Sequence, residues 1–200
     1  MSNLIKRIFD IIFSLLGITL LFPVLLIIAL LIKIDSKGPI FYKGIRVGKK
    51  EKLFKMYKFR TMIVNAAKIG GPSTSENDSR LTKIGKIIRK YKIDELPQFI
   101  NVLKGEMSFV GPRPEVLEEV KTYSKEEKKI LSVNPGITDW ASIEFRNEGK
   151  ILKGSKNPHK TYQEKIRPEK HRLELEYVKN HNLFIDLKIL FKTILTILKG

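Results

Sequence analysis

Residues 11–32 read IIFSLLGITLLFPVLLIIALLI. The run holds no formal charge; Lys6 and Arg7 precede it and Lys33 follows it. As a helix it would extend roughly 33 Å at ~1.5 Å per residue, about one bilayer hydrocarbon core. It is longer than the apolar core of a signal peptide, and no small-residue cleavage site follows it. It is also long for a buried helix of a soluble domain. A straight transmembrane span and a re-entrant hairpin remain. Pro23 lies near the middle, has no N–H and crowds the preceding turn, so a kink or break is expected there. The flanking cations (Lys6 and Arg7 before, Lys33, Lys37, Lys43 and Arg46 after) favour the cytoplasm for both ends. Asp10, at the edge of the run, can stay at the interface.

The other end of the chain carries a second membrane signal. At ~100° per residue, residues 183–199 place Leu183, Phe184, Leu187, Leu190, Phe191, Ile194, Leu195, Ile197 and Leu198 on one broad face. Lys188, Lys192 and Lys199 cluster opposite. This suits a helix lying in the headgroup layer as well as one packed on the protein's own core. Ile185 and Ile189 fall outside the main apolar face and predict contact with protein as well as lipid.

Two hundred residues make about one domain. Without cysteine, disulfides, thiolate metal sites and cysteine nucleophiles are excluded. Thirty-eight Lys+Arg against 21 Asp+Glu give a net charge of +17, which draws the chain to polyanions such as anionic headgroups, phosphorylated substrates or nucleic acid. No nucleic-acid-binding module is recognisable and the basic residues are spread along the chain, so nucleic acid is not an expected partner.

Between the ends, residues 40–46 and 53–59 predict a β-hairpin with a basic tip. Residues 70–80 are polar and predict a loop. Residues 82–91 predict a short basic helix with Thr82 as N-cap. In residues 93–105, Gly105 is a helix stop and Asp94 is placed as N-cap, which puts Pro97 in the first turn. Gly111-Pro112-Arg113-Pro114 is a rigid turn presenting one arginine. Residues 115–131 predict one charged helix, 138–145 an extended segment, 149–158 a loop, and 168–180 a helix.

Three features could carry chemistry. They are the adjacent carboxylates Asp94 and Glu95 at a helix start, Arg113 held between two prolines, and nearby cations including Lys86, Arg89 and Lys92. Each alone has an ordinary structural explanation. Together they suit phosphoryl transfer, which needs a nucleophile, a divalent cation and arginines that offset charge on the transferring oxygens. An aspartate can form an acyl phosphate. A neighbouring glutamate can hold Mg²⁺, a hard cation that takes few protein oxygens. Arg113 can grip phosphate at two points.

The run Asp94-Glu95-Leu96-Pro97-Gln98, Asn101-Val102-Leu103-Lys104-Gly105 and Met107-Ser108-Phe109-Val110-Gly111-Pro112-Arg113-Pro114 closely resembles the signature of the bacterial sugar transferases, the monotopic polyprenyl-phosphate phosphoglycosyl transferases. Gly38-Pro39-Ile40-Phe41, Arg46-Val47-Gly48, Tyr57-Lys58-Phe59-Arg60-Thr61-Met62, Asn77-Asp78 with Arg80, and Pro135-Gly136-Ile137-Thr138 with Trp140 agree with it. The resemblance spans nearly the whole chain, strongest through Pro114.

The resemblance implies a membrane-associated α+β fold. Its parts are an N-terminal re-entrant helix hairpin, a small β-hairpin and several interfacial amphipathic helices around one compact catalytic domain. Residues 1–35 would form the re-entrant helix–break–helix, with Pro23 at the break. Residues 36–200 would form the catalytic domain at the cytoplasmic face of the bacterial inner membrane. Asp94 maps onto the family's nucleophile, Glu95 onto its Mg²⁺-binding residue, and Arg89 and Arg113 onto its supporting arginines. Lys58 and Arg60, in their matching block, are expected to bind substrate phosphate.

The implied reaction is ping-pong. A UDP-sugar gives its sugar 1-phosphate to Asp94, releasing UMP. The phosphosugar then passes to polyprenyl (undecaprenyl) phosphate, as the first membrane step of a glycan or polysaccharide pathway. Anionic lipids are expected partners, and a homo-oligomer stays open. Two positions depart from the pattern: Phe22 stands where relatives often have Ser, and Asp139 where many have Gly.

Overall fold

The computed structural model describes residues 3–69, 78–153, 155 and 157–198. Residues 70–77 of the expected polar loop, including Asn77 of the matching block, lie outside the described residues, as do positions 154, 156 and 199. In order the elements are α1 (Asn3–Asp35), β1 (Phe41–Val47), β2 (Leu53–Phe59), α2 (Ala66–Ile69), α3 (Lys83–Lys90), a 3₁₀ turn (Ile93–Gln98), α4 (Phe99–Lys104), β3 (Ser108–Val110) and α5 (Leu117–Val120). A further 3₁₀ turn (Glu127–Ser132; another, Lys49–Glu51, joins β1 to β2), β4 (Gly136–Thr138), α6 (Trp140–Glu144), α7 (Glu148–Ile151), α8 (Pro158–Thr161), a π-helical turn (Tyr162–Ile166), α9 (Arg167–Asn180) and α10 (Leu183–Leu198) follow. Helix dominates. The sheets are two small pairs, β1 antiparallel to β2 and β3 parallel to β4.

Among the described residues, α1 is the one helix long and apolar enough to cross a membrane. It runs without interruption through Pro23, where the sequence predicted a break. A proline removes one i→i−4 hydrogen bond and need not end a helix. Pro23 is exposed, on the side away from the rest of the protein. Arg7, Asp10, Ser14, Gly17, Leu21, Leu25, Ile28 and Ile32 form one continuous buried or half-buried stripe at spacings of three and four, in phase on both sides of Pro23. The opposite faces stay apolar and open: Leu20 is 74% and Ile34 83% exposed.

Both ends of α1 are fastened to the same body. At the start, the Arg7 guanidinium donates to Val102 O (2.5 Å) and Leu103 O (2.6 Å), the last carbonyls of α4. Gly105 ends α4 at φ 79° beside that guanidinium, so a side chain there would be strained. At the far end, Ile28 and Ile32 pack with Phe59 and Ile88. The Asp35 carboxylate accepts from Ile84 N (3.0 Å) and, with Thr82, caps α3.

The hairpin, the Thr82 cap, the Gly105 stop, α9 and α10 fall where the sequence predicted them. Four segments differ. Residues 115–131 do not form one helix, because Ser124 and Glu127 make a reciprocal capping box (Ser124 N to Glu127 Oε2 2.7 Å, Glu127 N to Ser124 Oγ 3.2 Å) that starts a new turn. Residues 140–144 are helical rather than extended, because Asp139 caps them through Ser142 N (2.7 Å). Part of the expected 149–158 loop belongs to the one-turn α7. Asp94 is not an N-cap: Lys92 takes that position in left-handed geometry, φ 58°, and Asp94 lies inside the 3₁₀ turn.

α10 docks through Ile189, fully buried against Val110 and Tyr177, and through Thr193, bonded to Thr138 (2.8 Å). Lys188 and Lys192 lie over the Trp140 ring. Phe184, Leu187, Phe191, Ile194 and Leu198 remain on an open apolar face.

Candidate active site

Three elements meet at Glu95. Strand alternation puts Lys58 on the same inward face of β2 as buried Phe54 and Met56, aimed at the 3₁₀ turn. The Asn101 side chain joins that strand to α4, accepting from Tyr57 N (2.9 Å) and donating to Lys55 O (2.8 Å). The third element is the Arg113 turn, which directly follows β3. It is gripped on both sides: Gly111 N donates to Thr138 O (3.0 Å), Gly136 N to Pro112 O (2.9 Å), and Val47 N to Glu115 O (2.9 Å). Gly111 and Gly136 come so close that a Cβ on Gly136 would lie 2.1 Å from Gly111 N, so neither position has room for a side chain.

Lys58 Nζ donates to Glu95 Oε1 (2.9 Å). Arg113 forks onto the same carboxylate, at 2.5 Å to Oε1 and 3.3 Å to Oε2. Burial pushes the Glu95 carboxyl up, but the Arg113 and Lys58 charges overcome it and hold the group well below the usual range. Asp94, one residue away, is also buried, yet its Oδ1 has no hydrogen-bond partner among the described residues. Burial, and then the Glu95 charge, push its carboxyl up to about 6.

Of the residues expected at the site, Asp94, Glu95, Lys58 and Arg113 come together. Arg89 is half-buried on the last turn of α3; its charge favours ionised Asp94. Arg60 does not join them. Its guanidinium turns away to Ser36 O (2.7 Å) and Lys37 O (2.6 Å), closing the C-terminal end of α1. The neighbour that sequence reasoning missed lies behind Arg113, where the buried Glu174 carboxyl faces the Arg113 backbone N–H. Burial and the Asp139 charge push Glu174 well above the usual carboxyl range. No motif pairs positions 113 and 174, so only packing reveals it.

The carboxylates suit Mg²⁺ in a sparse way. Among the described residues there is no cluster of three ligating side chains, but Mg²⁺ commonly takes one or two carboxylates and completes its shell with water and substrate phosphate. The unpartnered Oδ1 of Asp94 is one available donor. Glu95 would have to release Lys58 or Arg113 to be another.

The profile of the bacterial sugar transferase family matches residues 1–200. The chain is 40% identical over 199 residues to a UDP-N-acetylgalactosamine-undecaprenyl-phosphate N-acetylgalactosaminephosphotransferase of Aeromonas hydrophila, covering 98% of this chain and 44% of that protein. It is 37% identical to a UDP-glucose:undecaprenyl-phosphate glucose-1-phosphate transferase of Escherichia coli K12, covering 100% of this chain and 40% of that protein. It thus spans less than half the length of these two relatives. It is also 37% identical to the exopolysaccharide production protein PSS of Rhizobium leguminosarum, covering 98% of this chain and 96% of that one. The chain belongs to the bacterial sugar transferase family.

Proposed function

We propose that this chain transfers a sugar 1-phosphate from a UDP-sugar to polyprenyl phosphate, through a covalent intermediate on Asp94, at the cytoplasmic face of the bacterial inner membrane. The observation that carries the reading is the division of labour between the two carboxylates. Glu95 is neutralised by Lys58 and Arg113, whereas Asp94 keeps a buried oxygen with no partner among the described residues. A nucleophile needs a free lone pair, and Asp94 has one.

In the first half-reaction an Asp94 oxygen forms a bond to the phosphorus that carries the sugar. The bond from that phosphorus to the bridging oxygen breaks, and UMP leaves with the electron pair. In the second, an oxygen of the polyprenyl phosphate attacks the same phosphorus and Asp94 is released as carboxylate. Arg113 and Arg89 offset charge on the transferring oxygens. Mg²⁺ would be held by Asp94 or Glu95 and would supply further neutralisation of the donor's diphosphate. The names of the relatives support the donor and acceptor classes.

The membrane reading rests on α1 and α10, whose open apolar faces exceed what a soluble surface normally exposes. Arg7 near the start of α1 and Asp35 at its end both bond the same body, which favours re-entrant insertion, with both ends on one face of the membrane, over a straight span. The +17 charge favours anionic lipid at that surface.

The test is UMP release from a panel of UDP-sugars by the purified protein, with Mg²⁺ and undecaprenyl phosphate. UMP from one donor, absent in an Asp94→Asn variant, supports the reading. No UMP from any donor contradicts it.

A further inference from the structure

The first turns of α1 are tied into the body by buried polar side chains. Lys6 Nζ donates to three acceptors: Val110 O (2.9 Å), the Tyr177 hydroxyl (3.3 Å) and Asp186 Oδ2 (2.5 Å). The Tyr177 hydroxyl, with one proton to give, lies within donating distance of Asp186 Oδ1 (2.7 Å) and Val110 O (3.1 Å). One turn along α1, Asp10 Oδ1 accepts from Ser108 Oγ and Phe109 N, both at 3.1 Å. The network is buried: Asp10 and Asp186 are each 3% exposed and Tyr177 2%. Four of these bonds end on the three residues of β3, and Arg113 stands three residues beyond its end.

We infer that Lys6 and Asp10 are positioning residues for Arg113, so that the seating of the membrane helix sets the geometry of the donor site. β3 is held on one side by β4, through pairing at two positions and Ser108 N to Pro135 O (2.8 Å); on the other side Lys6 and Asp10 of α1 bond polar groups at all three of its residues. Without Lys6 and Asp10, β3 and the turn it leads into would shift against Glu95. A displacement of about 1 Å at a reacting centre costs up to a hundredfold in rate.

The inference rests on the proposed phosphosugar transfer and goes beyond it. A plain anchor would matter only for meeting the lipid acceptor. A positioning helix matters also for the first half-reaction, whose donor is water-soluble.

The experiment is a rapid-quench measurement of the first UMP turnover by the full chain in detergent, with donor varied up to saturation and no lipid acceptor. Lys6→Met and Asp10→Ala are expected to slow the burst about ten- to a hundredfold, with donor KM changed less than about threefold. Asp10→Asn keeps an acceptor for Ser108 and Phe109 and is expected within about twofold of the parent rate, as is Lys33→Met on the exposed face of α1. Burst amplitude gives the competent fraction, so loss of folded protein lowers amplitude and leaves the rate. Parent-like burst rates in Lys6→Met and Asp10→Ala overturn the inference and leave the transfer reading intact. Absence of UMP from the parent protein with every donor overturns both.

Discussion

Asp94 and Glu95 are adjacent in sequence and opposite in electrostatic state: Glu95 is clamped by Lys58 and Arg113, while Asp94 has a buried oxygen without a partner among the described residues and a carboxyl pushed up to about 6 by burial and by Glu95. A 3₁₀ turn makes this possible, because successive side chains point about 120° apart. One can reach β2 and the Arg113 turn while the other faces elsewhere.

The raised Asp94 carboxyl gives the donor half-reaction a pH signature. Only the ionised form attacks, so UMP release should rise with pH through about 6 and level off above ~7. Below pH 6 it should fall about tenfold per unit. First-turnover UMP rates from pH 4.5 to 8.5 test this; a flat profile from about pH 5 upward would mean an unperturbed carboxylate.

The same shift affects stability, with a definite sign. A carboxyl whose folded pKa lies above its unfolded value favours the fold below the unfolded value, near 3.8, and that contribution is lost as pH rises through about 6. Asp94→Asn removes the buried charge. It should stabilise the protein by about 1–3 kcal/mol at pH 8 and by almost nothing at pH 4. Paired thermal or urea melts at the two pH values report the difference; an equal effect at both would refute it.

Arg60 is a structural arginine. It is 5% exposed and spends its guanidinium on carbonyls at the end of α1. Arg60→Ala should cost about 2–4 kcal/mol of stability and leave donor KM unchanged in the folded fraction. A raised donor KM with unchanged melting temperature would make Arg60 a phosphate ligand instead.

Topology can be read with cysteines, since the chain has none of its own. Leu4→Cys and Lys37→Cys, at the two ends of α1, should both resist a membrane-impermeant maleimide in intact spheroplasts and react once the membrane is opened. Labelling of position 4 from outside would establish a straight span.

Much of this was legible beforehand. The hairpin, the capped α3, the Gly105 stop and α9 follow from local rules: strand alternation, a Thr cap, a left-handed glycine, helical periodicity. The misses have local physical causes too. Ser124 with Glu127, and Asp139 with Ser142, are short capping patterns that outweighed the charged periodicity of 115–131 and the extended reading of 138–145. At the site, the sequence grouped Asp94, Glu95 and Arg113 but not their pairing. That Lys58 clamps Glu95, that Arg60 turns to α1, and that Glu174 sits behind Arg113 all depend on which face of an element meets which neighbour. Residues 23 to 61 positions apart in the chain carry no pairing signal in one sequence.

The most direct test of the account is the mass of the protein after incubation with its UDP-sugar donor and no lipid acceptor, followed by acid quench and peptide mapping. The account predicts an added sugar phosphate on the peptide containing Asp94, absent in Asp94→Asn and lost when undecaprenyl phosphate is added. UMP release that requires the lipid acceptor, with no adduct on Asp94 at any time, would contradict it.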